Sequence, residues 1–153
     1  MASLFEAFVR NFYKKEQSAL KVRREAIYWD LTPIDDSNIS YLPEMHTDIT
    51  LESPDRKIII DTKYYTNTLS KNYDSLKFHS ENMYQLYSYL KNNELNPKHP
   101  KNSCAEGILL YPSVEYNLRE SFQMGSHKLT ICTVDLNSDW KIISKSLKEL
   151  ISK

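Results

Sequence analysis

The sequence predicts an α+β (mixed α/β) domain in which a central mixed β-sheet of about five strands is flanked by helices. Three observations carry that prediction. Both ends of the chain place apolar residues at helical spacing, the stretch from 22 to 63 breaks into short β-rich runs divided by turn residues, and the segments run α, three strands, α, β, β, α. A strand-rich middle covered by helices is the layer pattern of such folds. At 153 residues the chain fits a single domain spanning 1–153, large enough to bury roughly 68 to 70% of the surface its unfolded form exposes.

From Ser3 to Ala19, the residues Leu4, Phe5, Phe8, Val9, Phe12 and Tyr13 recur as on one face of a helix. Ser3 is placed to cap it, with Glu6 three residues on. The outward side carries Arg10, Lys14 and Lys15, and Lys21, Arg23 and Arg24 follow; this basic stretch is either a solvated face or one that contacts phosphates. Val22 to Leu31 reads as a strand ending in the loop "TPIDDSN". Residues 44–52 alternate as a strand does, with Met45, Thr47, Ile49 and Leu51 on one side and His46, Asp48, Thr50 and Glu52 on the other.

"SPDR" then supplies a turn with proline at its second position, and residues 57–63 form the next strand. Asp74 or Ser75 is placed to cap a helix running to about Asn92, with Leu76, Met83, Leu86 and Leu90 on its core side. After the loop "NNELNPKHPKN", strands are expected from Ala105 to Tyr111 and from Lys128 to Val134. A last helix from about Ser138 to Ile151 sets Trp140, Ile143, Leu147 and Leu150 at core spacing.

The composition, 41% apolar and 26% charged with 2 Gly and 6 Pro, excludes a disordered chain. Twenty basic and twenty acidic residues cancel, which weighs against a free-standing nucleic-acid binder while leaving room for a local basic patch. Eleven tyrosines suit core margins or half-wet grooves. Cys104 and Cys132 stand apart, without metal-ligand or CxxC spacing, and read as reduced, buried packing residues. No leader pattern and no long apolar run occurs, so no membrane is expected and the cytoplasm is the expected location.

The strands on either side of "SPDR" raise a chemical question. If they form a hairpin in which Glu52 faces Lys57, Asp48 falls opposite Asp61, and Lys63 points to the same face two residues further on. Two facing carboxylates repel, so a purely structural sheet gains nothing by keeping them. A divalent cation between them removes the conflict, because Mg²⁺ is commonly held by one or two carboxylates together with waters and substrate phosphate oxygens. Lys63 would add positive charge beside a phosphate or an attacking water. Acid, acid and lysine then make a phosphodiester hydrolysis site. The alternatives are a surface ion pair from Lys63 to either acid, or a strand that runs out into solvent.

Asp48, followed by Asp61-x-Lys63 on consecutive strands after an amino-terminal helix, resembles the PD-(D/E)xK nuclease superfamily. Within it, "LFEAFVRNFY", "MHTDI", "IIIDTKYY" and "NMYQLYSYL" together resemble the nuclease domain of McrC-type subunits of McrBC modification-dependent restriction systems. The resemblance covers most of residues 3–92. It implies a restriction-endonuclease-like fold in which Asp48, Asp61 and the carbonyl of Thr62 bind Mg²⁺, with Mn²⁺ as a substitute, and Lys63 positions or activates water. Glu6 matches a supporting acid of the family, with a capping carboxylate as its other reading. Gln85 and Tyr89 match a Gln-x-x-x-Tyr element, and four-residue spacing puts them on one helix face with Phe78 and Asn82. They either orient the site and contact DNA or form a polar helix flank. His46 either contacts a phosphate or packs at a sheet margin.

Threonine precedes Asp48 where the superfamily name has proline. The resemblance further implies a DNA substrate, a separate AAA+ GTPase motor of the McrB type, and a homodimer for double-strand cleavage. No Walker-type phosphate loop is present, so the motor is expected to be another protein. The amino-terminal partner-binding region usual in the family is expected to be absent from this chain. A cutter delivered by a partner needs little DNA affinity of its own, which accounts for the neutral charge. Two other readings stand beside this one: a catalytically silent nuclease fold docking on the motor, and a nuclease acting on RNA or branched DNA.

Overall fold

The computed structural model describes residues 1–64, 70–72, 75–77, 79–113 and 117–153. Strands β1 (Lys21–Arg23), β2 (Ala26–Ile27), β3 (Met45–His46), β4 (Ile49–Glu52) and β5 (Lys57–Thr62) follow helix α1 (Ala2–Glu16). Next come β6 (Ser70–Asn72), β7 (Ser75–Lys77), α2 (Ser80–Asn93) and the single turn α3 (Pro100–Ser103). Strands β8 (Glu106–Ser113), β9 (Arg119–Met124) and β10 (His127–Asp135) precede the last helix, α4 (Trp140–Leu150).

Six strands form the central sheet in the order β1-β4-β5-β8-β10-β9. It is mixed, since β5 and β8 run parallel, as do β8 and β10, while β1–β4, β4–β5 and β10–β9 are antiparallel. The mixed α+β architecture is therefore the expected one, with six strands in place of about five. Alternation along β5 sorts its side chains between two cores. Ile58 and Ile60 pack with Phe5, Val9, Phe12, Ile143 and Leu147 of α1 and α4, whereas Ile59 packs with Leu86, Tyr89 and Leu90 of α2. Asp61 alternates with Ile59, so it stands at the α2 side where β5 ends.

Several expected elements differ. α1 stops at Glu16, Met1 rather than Ser3 is its N-cap, and no side chain caps it; Leu4 is exposed. The strand expected over Val22 to Leu31 is two short strands, because the chain leaves β1 for a separate pairing of β2 with β3. For the same reason residues 44–52 divide into β3 and β4, with a bend at Thr47 and Asp48. Helix α2 begins at Ser80 and not near 75. Ser75 and Leu76 belong to β7, and Asp74 and Phe78 lie outside the described residues. β9, whose residues are almost all exposed, has no apolar alternation to announce it. Cys132 is buried as expected but Cys104 is exposed; both are free. Trp140 is half exposed, its ring set edge-on to Phe8 and Phe12. Among the described residues no helix is long and apolar enough to cross a membrane.

α2 carries two of the expected site residues and sits close on the sheet at Gly107 of β8. A Cβ there would meet Leu90 Cδ1 at 2.9 Å and Leu86 Cδ2 at 3.0 Å. Gly107→Ala is expected to push α2 outward and lower stability by about 1–3 kcal/mol, read as a shift in the urea midpoint. An unchanged midpoint would mean that the two leucines repack without cost.

Candidate active site at the end of β5

The hairpin register is the expected one. Glu52 pairs with Lys57, Leu51 with Ile58 and Ile49 with Ile60, and Ser53 N–H donates to Arg56 O across the turn (2.9 Å). The ladder stops one pair short of Asp48 and Asp61. Asp48 stands in the bend instead, and its Oδ2 accepts from both the backbone N–H and the hydroxyl of Thr62, each at 2.8 Å. The aspartates thus meet through the last residue of β5 rather than as a cross-strand pair.

Asp61 is buried to 1% exposure, and the Lys63 ammonium lies 2.9 Å from its Oδ2. That ion pair is the contact Oδ2 makes among the described residues, and no other group there donates to it. Lys63 Nζ also donates to Gln85 Oε1 (2.6 Å), and Gln85 Nε2 donates to Tyr89 Oη (2.7 Å). Tyr89 thus holds the Gln85 amide, and the amide holds the lysine. Asn82, the next residue on that face, donates instead to Tyr111 Oη (3.0 Å) inside the core. From the opposite side, Glu6 accepts from Arg10 at 2.6 Å, and Arg10 reaches the carbonyl of Asp48 at 3.2 Å. Glu6 is thus engaged by an arginine and caps no helix, which removes its capping reading. His46 is exposed, 3.5 Å from Glu44.

The electrostatics follow from this packing. Burial pushes the Asp61 carboxyl up to about 6; Lys63 opposes the rise, and Asp48 and Glu6 add to it. Asp48 is raised too, first by burial and also by Glu6, against the two hydrogen bonds from Thr62. Tyr89 is raised by burial, with both aspartates contributing. A pocket that disfavours its own carboxylates is one that a cation would stabilise.

A consequence for the protein alone can be measured. Asp61 keeps its proton to about pH 6 when folded, against an ordinary value of 3.8, so folding loses stability as pH rises through that window. The full loss is about 3 kcal/mol. Asp61→Asn is therefore expected to stabilise the metal-free protein by up to about 3 kcal/mol at pH 8 and little at pH 4. Urea titrations at the two pH values check it, and an equal gain at both would contradict the buried carboxylate.

The residues fit a hard divalent cation. Asp61 Oδ2 is the buried acceptor just described, and among the described residues no hydrogen bond reaches Asp48 Oδ1. Lys63 N–H bonds Leu110 O on the β8 side (2.9 Å), so Thr62 one residue earlier turns its N–H, and with it its carbonyl, to the edge where Asp48 stands. Two carboxylates and a carbonyl are oxygen donors of the kind Mg²⁺ takes, with waters or phosphate oxygens completing the shell. Among the described residues no group of three His, Cys, Asp or Glu side chains is arranged to hold a metal, in keeping with a shell that the protein fills only in part. A cavity of about 490 Å³ opens elsewhere, at the Lys57 end of β5. It has none of the site residues in its wall.

Two features escaped the sequence. Arg10, expected on an outward basic side, is anchored on Glu6 and on the carbonyl of Asp48. A buried network of Glu25, Thr47, Thr50 and Lys57 lies beneath the bend. Glu25 lies more than twenty residues from each of the others, and only the placement of Lys57 at the head of an apolar strand hinted at a buried charge.

A family model described as McrBC 5-methylcytosine restriction system component matches residues 1–112. The chain is 32% identical over 153 residues to the protein described as type IV methyl-directed restriction enzyme EcoKMcrBC of Escherichia coli strain K12. That alignment takes in all of this chain and 43% of the relative, so the chain spans less than half of the relative's length.

Proposed function

Because the chain belongs to the family of McrBC 5-methylcytosine restriction system components, we propose that it is the cutting part of such a system, a Mg²⁺-dependent DNA endonuclease. The observation that carries the reading is the convergence of Asp48, Asp61 and Lys63 at the end of β5, with the buried Asp61 carboxylate at its centre.

Asp48, Asp61 and the Thr62 carbonyl would hold the cation. Bound there, Mg²⁺ would supply Lewis acidity toward a phosphate oxygen and neutralise charge as the phosphorus becomes five-coordinate. Lys63, held between Asp61 and Gln85, orients the attacking water and offsets the developing charge. Water oxygen bonds to phosphorus and gives up a proton to solvent, the bond from phosphorus to the leaving sugar oxygen breaks, and that oxygen takes up a proton from solvent. Gln85 and Tyr89 keep the lysine from swinging away, which preserves the attack geometry.

The delivery half of the reaction lies with a separate AAA+ GTPase of the McrB type, which together with a reader of modified DNA would bring this chain to its target. Two copies of the site would be needed for a double-strand break. The protein would work in the cytoplasm, where the DNA is. Plasmid nicking with Mg²⁺ titrated in, alone and with the GTPase, tests the reading on duplex DNA; parallel reactions with single-stranded DNA, branched DNA and RNA test its substrate. Cleavage of methylated duplex that needs both Mg²⁺ and the motor is expected. Binding to the motor without cleavage of any of these substrates would leave a silent docking fold.

A further inference from the structure

We infer that Thr47, with Glu25, forms a hydrogen-bonded clamp that fixes the backbone carrying Asp48 and so sets the geometry of the cation site. The inference rests on the nuclease reading above.

At residue 47 the sheet divides: β3 leaves for β2, while β4 stays with β1 and β5. Such a division leaves backbone groups without ladder partners, which is costly when they are buried. Thr47 is fully buried and Glu25 nearly so. Thr47 N–H donates to Glu25 O at 2.8 Å, and Glu25 N–H donates to Thr47 Oγ1 at 3.0 Å. Thr47 and Thr50 hydroxyls lie 2.9 Å apart, and the Thr50 hydroxyl donates to Glu25 Oε2 at 3.1 Å. Each hydroxyl has one proton to give. Since Thr50 gives its own to Glu25, Thr47 must donate to Thr50. The bonds then close a ring that leaves Glu25 at its N–H and returns at its carboxylate.

This ring straddles the bend. Thr47 and Thr50 flank Asp48 and Ile49, and both are tied to one acid. The other oxygen of that acid accepts from Lys57 Nζ at 2.6 Å, and Lys57 lies on the strand that carries Asp61 four residues later. One carboxylate therefore ties the segment of Asp48 to the strand of Asp61. A proline at 47 could not donate to Glu25 O, because it has no N–H.

Thr47 touches no substrate, so it is a positioning residue. Thr47→Val keeps the shape but breaks the ring, and Thr47→Ser keeps the hydroxyl and the N–H. Mn²⁺ binding by calorimetry on the folded variants is expected to weaken about tenfold in Thr47→Val, the range seen when groups that orient metal ligands are removed. The Mg²⁺ needed for half-maximal nicking should rise by the same factor, and Thr47→Ser should return both close to parental values. Thr50→Val breaks the ring one step further from Asp48 and serves where Thr47→Val folds poorly. Parental Mn²⁺ affinity in both folded valine variants would overturn the clamp while leaving the nuclease reading in place. A parent protein that neither binds Mn²⁺ nor nicks DNA would overturn both.

Discussion

Asp61→Ala is expected to lower Mg²⁺-dependent DNA cleavage at least about a thousandfold, or roughly 4 kcal/mol of transition-state stabilisation, with the fold retained. The size follows from what the carboxylate does. It is the buried member of the pair, and its Oδ2 holds Lys63 through an ion pair. Its removal would take away a ligand of the proposed cation and the carboxylate that pairs with Lys63. Fold retention is expected because the group destabilises the metal-free protein at neutral pH: its ionised form is disfavoured up to about pH 6. The cutting and stability effects therefore have opposite signs, and a merely structural residue would not show that combination. Nicking rates of parent and variant, purified side by side, check it; equal rates would assign the activity elsewhere.

Glu25→Ala is expected to destabilise the protein by about 3–5 kcal/mol, the usual result of stranding one partner of a buried ion pair. Lys57 is 2% exposed and its ammonium lies 2.6 Å from Glu25. Alanine would leave that charge without its carboxylate and the Thr50 hydroxyl without its acceptor. The double change Glu25→Gln with Lys57→Met removes both charges and keeps much of the volume, so most of the stability should return. Urea denaturation of the three proteins measures this, and a loss below about 1 kcal/mol in Glu25→Ala would show that Lys57 finds water or another partner.

The hairpin register was legible in the sequence because "SPDR" fixes where the chain turns and the apolar run that follows fixes which residues face inward. Glu52 does pair with Lys57. Strand continuity was not legible, since alternation from Met45 to Glu52 continues through a point where the backbone leaves one sheet for another. The contacts that cause this, Thr47 with Glu25 and Arg10 with Asp48, join residues more than twenty positions apart. Local composition also misplaced the start of α2, because Asp74 and Ser75 have the chemistry of helix caps as well as of turns, and Ser75 lies in β7. β9 was missed because an exposed edge strand buries no apolar stripe. The site residues were found by residue type and spacing, whereas the groups that hold them, Arg10 and the ring around Glu25, became visible only in three dimensions.

The central claim is that Asp48 and Asp61 share one divalent cation, and crystals of the protein with duplex DNA soaked in Mn²⁺ test it most directly. The account predicts an anomalous peak in contact with carboxylate oxygens of both aspartates and with the Thr62 carbonyl, beside the Lys63 ammonium and a phosphate of the DNA. Mn²⁺ bound against the phosphate elsewhere, or DNA seated with no peak touching either aspartate, would contradict it.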